Sequence, residues 1–538
     1  MKKIFGIIMI TVFAALGACT DLNLSPKSAT TGDVLFNDPS SYKQFLARIY
    51  SGLAVVGQGN PDADNIRDIL SISDAGFSAY MRQYWGAQEL STDEAVIGWN
   101  DDGLPAFHLH TWTTINPFLN AMFSRVYFQV GMANEFLIQT TEDLLIERGI
   151  AENVQAEVKT YRAEARFLRA LSYWHGLDLF GNIPIVPETN PVGTSAPGQP
   201  ANGKQDVFNF IESELLAIEA ELGNPRFEYG RADKAAAWML LAKLYLNAEV
   251  YIGTPKYTEA LTFINKIINA GYSLDPVYQN LFLADNHTSP EVIFSVNFDG
   301  NFTRTYGGTT FIAHAAIGGS MTATDYGLAS GWAGLRTTPN LVRLFPNAAS
   351  AGSSEDLRAI FYSDGQTLEI PETPTTSFNQ GYAVPKFKNI TSQGVAGSNA
   401  TFADIDFPMF RLADAYLMYA EAVLRGGSGG DLETAVIYIN ALRERAYGNA
   451  NGNIASDNLD LFFIIDERGR ELYWEGHRRT DLIRFNLFTT NPENNPRAIW
   501  AWKGNVAEGK QTETFRNVYP IPSQAIIANP QLKQNTGY

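Results

Sequence analysis

The sequence predicts a mostly α-helical protein in which tetratricopeptide-like helix hairpins pack as a single unit and carry long decorating loops. Three observations point to this fold class. Apolar residues recur at helical spacing over several long segments. Glycine breaks divide two of those segments into hairpins of roughly 30 to 40 residues with recurring Ala and aromatic positions, and such a hairpin cannot bury its apolar face without a neighbour. Between the helical segments lie stretches rich in Gly, Ser, Thr, Asn and Pro, at roughly 57–118, 185–205, 285–405 and 490–520. Loops beyond ~15 residues in a compact domain usually have a function.

At the N-terminus, Lys2 and Lys3 precede an apolar run from Ile4 to Leu16, and Gly17 and Ala18 are the small residues a signal peptidase needs. The run falls short of the ~20 apolar residues that cross a bilayer, so residues 1–18 read as a secretory signal peptide. Leu16-Gly17-Ala18-Cys19 reads as a bacterial lipobox, in which Cys19, the only cysteine of the chain, is diacylated and becomes the new N-terminus. Two or more acyl chains anchor a protein stably where one does not. Residues 19–38 are then expected to form a lipidated tether and 39–538 the folded domain.

Composition narrows the partners. Apolar residues at 45% and charged residues at 18% describe a globular chain. A net charge of −17 argues against nucleic acid and anionic lipid surfaces, both of which require a basic footprint. With 24 Tyr and 9 Trp the chain is rich in flat apolar faces with polar tips, which suit sugars. Composition does not separate that use from core packing.

The helical segments follow in order. In "VKTYRAEARFLRALSYWHGLDLFG", Tyr161, Ala165, Leu168, Leu171 and Leu179 share a stripe and Gly181 stops the helix. The segment from Arg231 to Tyr272 holds two helical runs broken at Gly253-Thr254-Pro255. The segment from Phe410 to Gly448 repeats the design with its break at Gly426 to Gly430. The run "DERGRELYWEGHRRTDLIRF" is expected to be one helix, with Glu471 and Glu475 a turn apart among Arg468, Arg470, Arg478 and Arg479 in salt-bridge ladders.

No catalytic constellation emerges. His108, His110, His175, His287, His314 and His477 show no HExxH spacing, and His108 and His110 would point to opposite sides of a strand, so no metal is expected. Gly426-Gly427-Ser428-Gly429-Gly430 matches the letters of a nucleophile elbow, but a helix rather than a strand precedes it. Glu471 and Glu475 share one helix, whereas glycoside hydrolysis needs carboxylates facing across the scissile bond. Binding remains. A non-periodic stretch at 74–112 interleaves Tyr80, Tyr84, Trp85, Trp99 and Trp112 with Asp74, Arg82, Asp93, Glu94, Asp101 and Asp102. A second, glycine-rich stretch holds Tyr306, Tyr326 and Trp332. Aromatic faces beside Arg and carboxylate groups are what a carbohydrate groove needs; any one of these rings alone reads first as a core residue, and it is the two clusters together that bring binding level with packing.

The lipobox, the hairpins and the segments "ARFLRALSYWHGLDLFGNIPIV", "GRADKAAAWMLLAKLYLNAEVY", "FPMFRLADAYLMYAEAVLR", "RGRELYWEGHRRTDLIRF" and "YPIPSQAIIANPQLKQNTGY" together resemble the SusD/RagB family of outer-membrane glycan-binding lipoproteins. The resemblance implies four tetratricopeptide-like hairpins whose loops form a shallow glycan site. It also implies a non-enzymatic, cofactor-free role as the lid of a SusC-like TonB-dependent transporter at the outer membrane, facing the cell exterior. The chain looks most like the starch-binding type, whose site residues match Asp74, Arg82, Trp99, Tyr306 and Trp332 here. It departs at Ile97, where that type has a first stacking Trp, and at Asp102, where it has Asn; Trp85 is the candidate replacement platform. The acidic loop that can hold calcium in that type is shortened at "ADNHTSP", so no metal is carried over. An α-glucan is the leading expected ligand, with levan, xylan or another polysaccharide as alternatives. A helical-repeat adaptor for protein partners and a surface glycoside hydrolase are the competing functions.

Overall fold

The computed structural model describes residues 35–59, 68–69, 76–190, 196–375 and 377–538. The expected leader, the lipobox with Cys19 and the tether up to residue 34 lie outside them, as does Asp74. The described residues contain twelve helices of seven or more residues. They are α1 Ser40–Ala54, α2 Tyr80–Glu89, α3 Pro117–Gln139, α4 Glu152–Phe180, α5 Lys204–Ile218 and α6 Lys234–Leu246, then α7 Tyr257–Ile268, α8 Gly308–Ala315, α9 Leu412–Leu424, α10 Leu432–Tyr447, α11 Leu461–Leu472 and α12 Arg478–Arg484.

Local chemistry sets the helix ends. The Asn116 side chain accepts from the Phe118 and Leu119 amides at the start of α3, with Pro117 in the first turn, where a missing N–H costs nothing. Asp233 accepts from Ala235 and Ala236 to cap α6, and Asp431 caps α10 through Thr434. At the far end of α4, Gly181 takes φ +73, a conformation L side chains rarely adopt. α3 packs on α4, α4 on α5, α6 on α7, α7 on α9 and α9 on α10, so the hairpins stack as a mostly α-helical unit. α6 is buried almost all round, and Ala235, Ala236, Ala237 and Ala242 let its neighbours approach closely.

The glycine turn at 426–430 is a docking point between hairpins. Ser428 N–H donates to Thr258 Oγ1 at 3.0 Å and Asn265 donates to the Gly429 carbonyl at 2.9 Å. A Cβ on Gly427 would lie 2.8 Å from the Tyr257 carbonyl oxygen. The resemblance to a nucleophile elbow therefore ends with the letters.

Two short antiparallel sheets lie in the long inter-hairpin segments. β1 Val96–Ile97 pairs with β3 Leu335–Arg336, with Val96 opposite Arg336 and Ile97 opposite Leu335. β2 Val292–Val296 pairs with β4 Phe407–Arg411, which runs directly into α9.

Three expectations need correction. The stretch 74–112 is not all loop: α2 occupies its first half, and every one of its ten residues is buried. His108 and His110 are not on a strand. His108 lies in the short helix Pro105–Leu109 and His110 caps it at φ +54; both are buried, the His110 ring against Trp112 and Phe488. The run "DERGRELYWEGHRRTDLIRF" is two helices. α11 ends at Leu472, Trp474 takes φ +64, and Glu475 sits in the turn before α12.

That break serves a buried charge network. Arg411 donates to Glu471 at 2.7 Å, to Glu475 at 2.6 Å and to Glu291 at 2.8 Å. Arg445 bridges Glu291 at 2.7 Å and also contacts Glu471. Arg358 spans Asp356, Glu467 and Glu471, and Lys386 holds Glu475 at 2.8 Å. All these side chains are nearly or fully buried. The arginines hold Glu471 down to about 2, and Arg484 and Arg425 do the same for Glu421, against burial that pushes both carboxyls up. A second buried pair behaves oppositely. Glu89 accepts the Gly476 and His477 amides and faces Glu94, which accepts the Trp474 amide. Burial raises Glu89 to about 7, and burial together with repulsion from Glu89 raises Glu94, so the pair retains a proton.

Replacing Arg411 by Met, which leaves three buried carboxylates short of a partner, is expected to cost about 3–5 kcal/mol in chemical denaturation, or to prevent folding. Stability should also vary with pH on both sides of a maximum. Glu471 and Glu421, depressed from 4.5 to about 2, contribute stability that is present above 4.5 and lost as pH falls towards 2. Glu89, raised from 4.5 to about 7, binds a proton in the folded state that the unfolded chain releases. Stability therefore declines as pH rises from 4.5 to 7, and Glu89→Gln should flatten that limb in denaturation midpoints measured across the range.

Candidate functional site: an aromatic shelf on a short helix

α8 is only eight residues long and lies inside a glycine-rich segment, with Gly308 at φ +56 in its first turn. It places Phe311 and His314 three positions apart, on one face. The carbonyls at its C-terminal end have no partner within the helix and are satisfied by the loop that follows. Trp332 N–H donates to the His314 carbonyl at 2.8 Å, Gly334 N–H to Ala315 at 2.8 Å and Ala333 N–H to Ile317 at 2.9 Å. Three successive amides thereby fix the backbone that carries Trp332.

The predicted site residues then fall into place in part. The Trp332 ring is half-buried and lies on His314, 4.5 Å between centroids and 20° from parallel. Trp99, also half-buried, follows β1, packs on Phe311 at 5.8 Å and donates Nε1–H to the Trp332 carbonyl at 3.3 Å. Tyr306 lies 6.3 Å from Trp332 and leans on Phe402 at 4.9 Å. Arg82 projects from α2 with its guanidinium 3.7 Å from Phe77, 4.0 Å from Phe311 and 5.6 Å from Trp99. Four predicted residues from two separate stretches of chain therefore form one shelf: Arg82, Trp99, Tyr306 and Trp332. Asp102 is exposed at the edge of an adjoining open depression of about 560 Å³, lined also by Asn100, Asp101, Thr113 and Ile115.

Trp85 is corrected. It is fully buried, donates Nε1–H to the Trp474 carbonyl at 2.9 Å, and meets both Trp474 and Phe311 edge-on. One turn of α2 after Arg82, it packs behind the shelf and cannot serve as a platform. Ile97 is buried in β1, so the stacking face missing there is not restored by Trp85. Tyr84 and Trp112 are likewise core residues.

Sequence reasoning missed the supports. Phe311 and His314 form a readable i, i+3 pair, but only once the short α8 is recognised among its flanking glycines. Arg336 is buried with no acidic partner among the described residues, and burial lowers it to about 10. It donates to the Ala333, Gly334 and Gln380 carbonyls at 3.1 Å each, and so holds the turn in which Ala333 takes φ +51. A single buried arginine gives no sequence signal. Gly334 is required by close approach, since a Cβ there would lie 2.6 Å from the Trp99 indole.

Chemically, the shelf offers partly open aromatic faces, with Tyr306 and Trp332 tilted 48° to one another, backed by the buried Arg82 guanidinium and beside an acidic rim. Glu471 and Glu475, the carboxylates considered for hydrolysis, belong to the buried network instead.

Comparison with known proteins agrees with this architecture. Residues 366–538 match the sequence profile of the SusD family. The chain is 33% identical to the starch-binding protein SusD of Bacteroides thetaiotaomicron over 100% of this chain and 99% of that one. A SusD superfamily protein from Bacteroides thetaiotaomicron superposes with a TM-score of 0.69 at 18% identity, covering 93% of this chain and 99% of that chain. Surface glycan-binding protein A from Bacteroides fluxus superposes with a TM-score of 0.67 at 21% identity and the same coverage. At these identities the two structures attest the fold.

Gly334→Ala should displace the Trp99 indole while leaving the helical unit folded. The expected result is a change in tryptophan fluorescence and its quenching, with a stability loss of about 1–3 kcal/mol for the overpacked turn. An unchanged emission spectrum would mean that Trp99 does not sit against Gly334.

Proposed function

The chain belongs to the SusD family, and from that premise we propose that it is a non-catalytic lipoprotein that captures polysaccharide on the Trp99–Trp332–Tyr306 shelf. The captured glycan passes to a SusC-like TonB-dependent transporter in the outer membrane, with the protein held at the cell exterior by acyl chains on Cys19. The observation that carries this reading is the shelf itself: half-buried aromatic faces, fixed from behind by Phe311, His314 and Phe402 and flanked by Arg82. Rigid faces that are apolar yet partly open stack on pyranose rings without first paying for ordering. Asp102 joins the proposed set as a hydroxyl acceptor at its edge; Asp74, outside the described residues, is included on the family resemblance alone, and no cofactor takes part.

An α-glucan is the favoured ligand, supported by whole-length likeness to a starch-binding protein. The 48° angle between the Tyr306 and Trp332 rings suits a curved chain better than a flat one. Levan, xylan and other polysaccharides remain the competitors that the experiment must separate.

Calorimetric titration of the soluble protein beginning after Cys19, against amylopectin, levan, xylan and xyloglucan, is expected to show saturable binding to amylopectin and no product release. Trp332→Ala should abolish that binding with the fold intact by circular dichroism. Affinity for another glycan that is lost in the same variant would move the substrate class but keep the site. Binding to none would favour the adaptor reading. For the anchor, Cys19→Ala is expected to shift the full-length protein from the membrane to the soluble fraction and to end its labelling by radioactive palmitate.

A further inference from the structure

His314 makes two contacts that a neutral imidazole cannot satisfy together. Its Nδ1 lies 2.7 Å from the Ser330 carbonyl oxygen and its Nε2 lies 3.0 Å from the Thr401 carbonyl oxygen. A carbonyl oxygen only accepts, and a neutral imidazole has a single N–H, so one contact goes unmade until the ring holds a second proton.

Both contacts bear on the shelf. Ser330 is two residues before Trp332, and Thr401 directly precedes Phe402, the ring on which Tyr306 leans. The same imidazole lies flat against Trp332. One side chain thus ties together the two loops whose spacing sets the distance between Trp332 and Tyr306.

We infer that His314 is the positioning residue of the aromatic shelf and that only its imidazolium, donating to Ser330 and Thr401 at once, holds the two loops in register. For its consequence the inference rests on the glycan-binding reading; for its geometry it does not. A cation is also well placed there. His314 is in the last turn of α8, where the helix carbonyls favour positive charge, and it meets the face of an indole.

The direction of the pH dependence follows. Burial lowers His314 below the ordinary histidine value while the two carbonyls raise it, and no ionised side chain enters the balance. The charged groups on the segments packed around it are engaged elsewhere. Arg82 lies between Phe77 and Phe311, Arg304 lies over Phe402, and Asp404 accepts from Gly300 and Ser398. The second proton is therefore taken up only below the ordinary histidine range. The shelf is tied at both loops there and at one loop above neutrality.

Two measurements test this. Nitrogen-15 NMR of the imidazoles in the wild-type protein, with His314 assigned by its proximity to the Trp332 ring, should show both nitrogens protonated at pH 5 and one at pH 8, with Trp332 shifts following the same titration. Amylopectin affinity should be about two- to tenfold higher at pH 5 than at pH 7.5, the worth of one hydrogen bond, and should be flat with pH in His314→Gln. A ring that keeps a single proton from pH 5 to 8, or a Trp332 signal that ignores its titration, overturns the inference. So does an affinity whose pH profile persists in His314→Gln. If no glycan binds at any pH, the functional reading fails and the NMR titration alone decides the role of His314.

Discussion

Arg411 is the residue on which the remainder of the structure leans. It ends β4, adjoins the first residue of α9, and from that position reaches Glu291 beside β2, Glu471 at the end of α11 and Glu475 in the turn before α12. Charges removed from water are tolerated only when each is paired and hydrogen-bonded, so these segments accept little relative displacement. The turn at 473–477 is held from the other side as well. Lys386 donates to the Tyr473 carbonyl and to Glu475, Glu89 and Glu94 take the amides of Trp474, Gly476 and His477, and Arg478 grips Asp93 at 2.7 Å through each of two nitrogens. The acidic segment before β1 is thereby pinned to the helical unit, and that segment leads directly to Trp99.

The shelf inherits this rigidity through different chemistry. Where the helical unit uses buried ion pairs, the shelf uses backbone capping and ring contacts. α8 supplies unpaired C-terminal carbonyls, the 332–334 turn supplies the amides that meet them, and Arg336 holds the turn from behind. Trp85 joins the two regions: its indole N–H is bound to Trp474 in the pinned turn and its edge meets Phe311 under the shelf. A buried tryptophan that was a plausible sugar platform by sequence is instead a spacer between scaffold and site.

Much of this was legible in the chain. The 3.6-residue period and the Gly181, Gly253 and Gly426 breaks located α4, the α6–α7 pair and the α9–α10 pair, because amphipathicity and left-handed glycine turns are local properties. Arg82, Trp99, Tyr306 and Trp332 were legible as a set through family resemblance, and the fold brings them together. Trp85 was misread because burial is not a local property: a tryptophan one turn from an arginine on a helix looks the same whether its face meets solvent or core. α2 itself was missed because all of its faces are covered, which erases the polar and apolar alternation that marks a surface helix.

The sequence by itself determined the helical class, the hairpin boundaries, the net negative charge and the aromatic side chains available for stacking, since each depends on residue type and short-range spacing. Tertiary structure decided which aromatics stay partly open, that Glu471 and Glu475 are neutralised in the core, and that His314 lies beneath Trp332 with a carbonyl at each nitrogen. Those outcomes depend on contacts between segments from tens to hundreds of residues apart, such as Trp99 with Trp332 or Trp85 with Trp474. Only the packing of the helical unit sets such distances, because no local conformational preference extends so far along a chain.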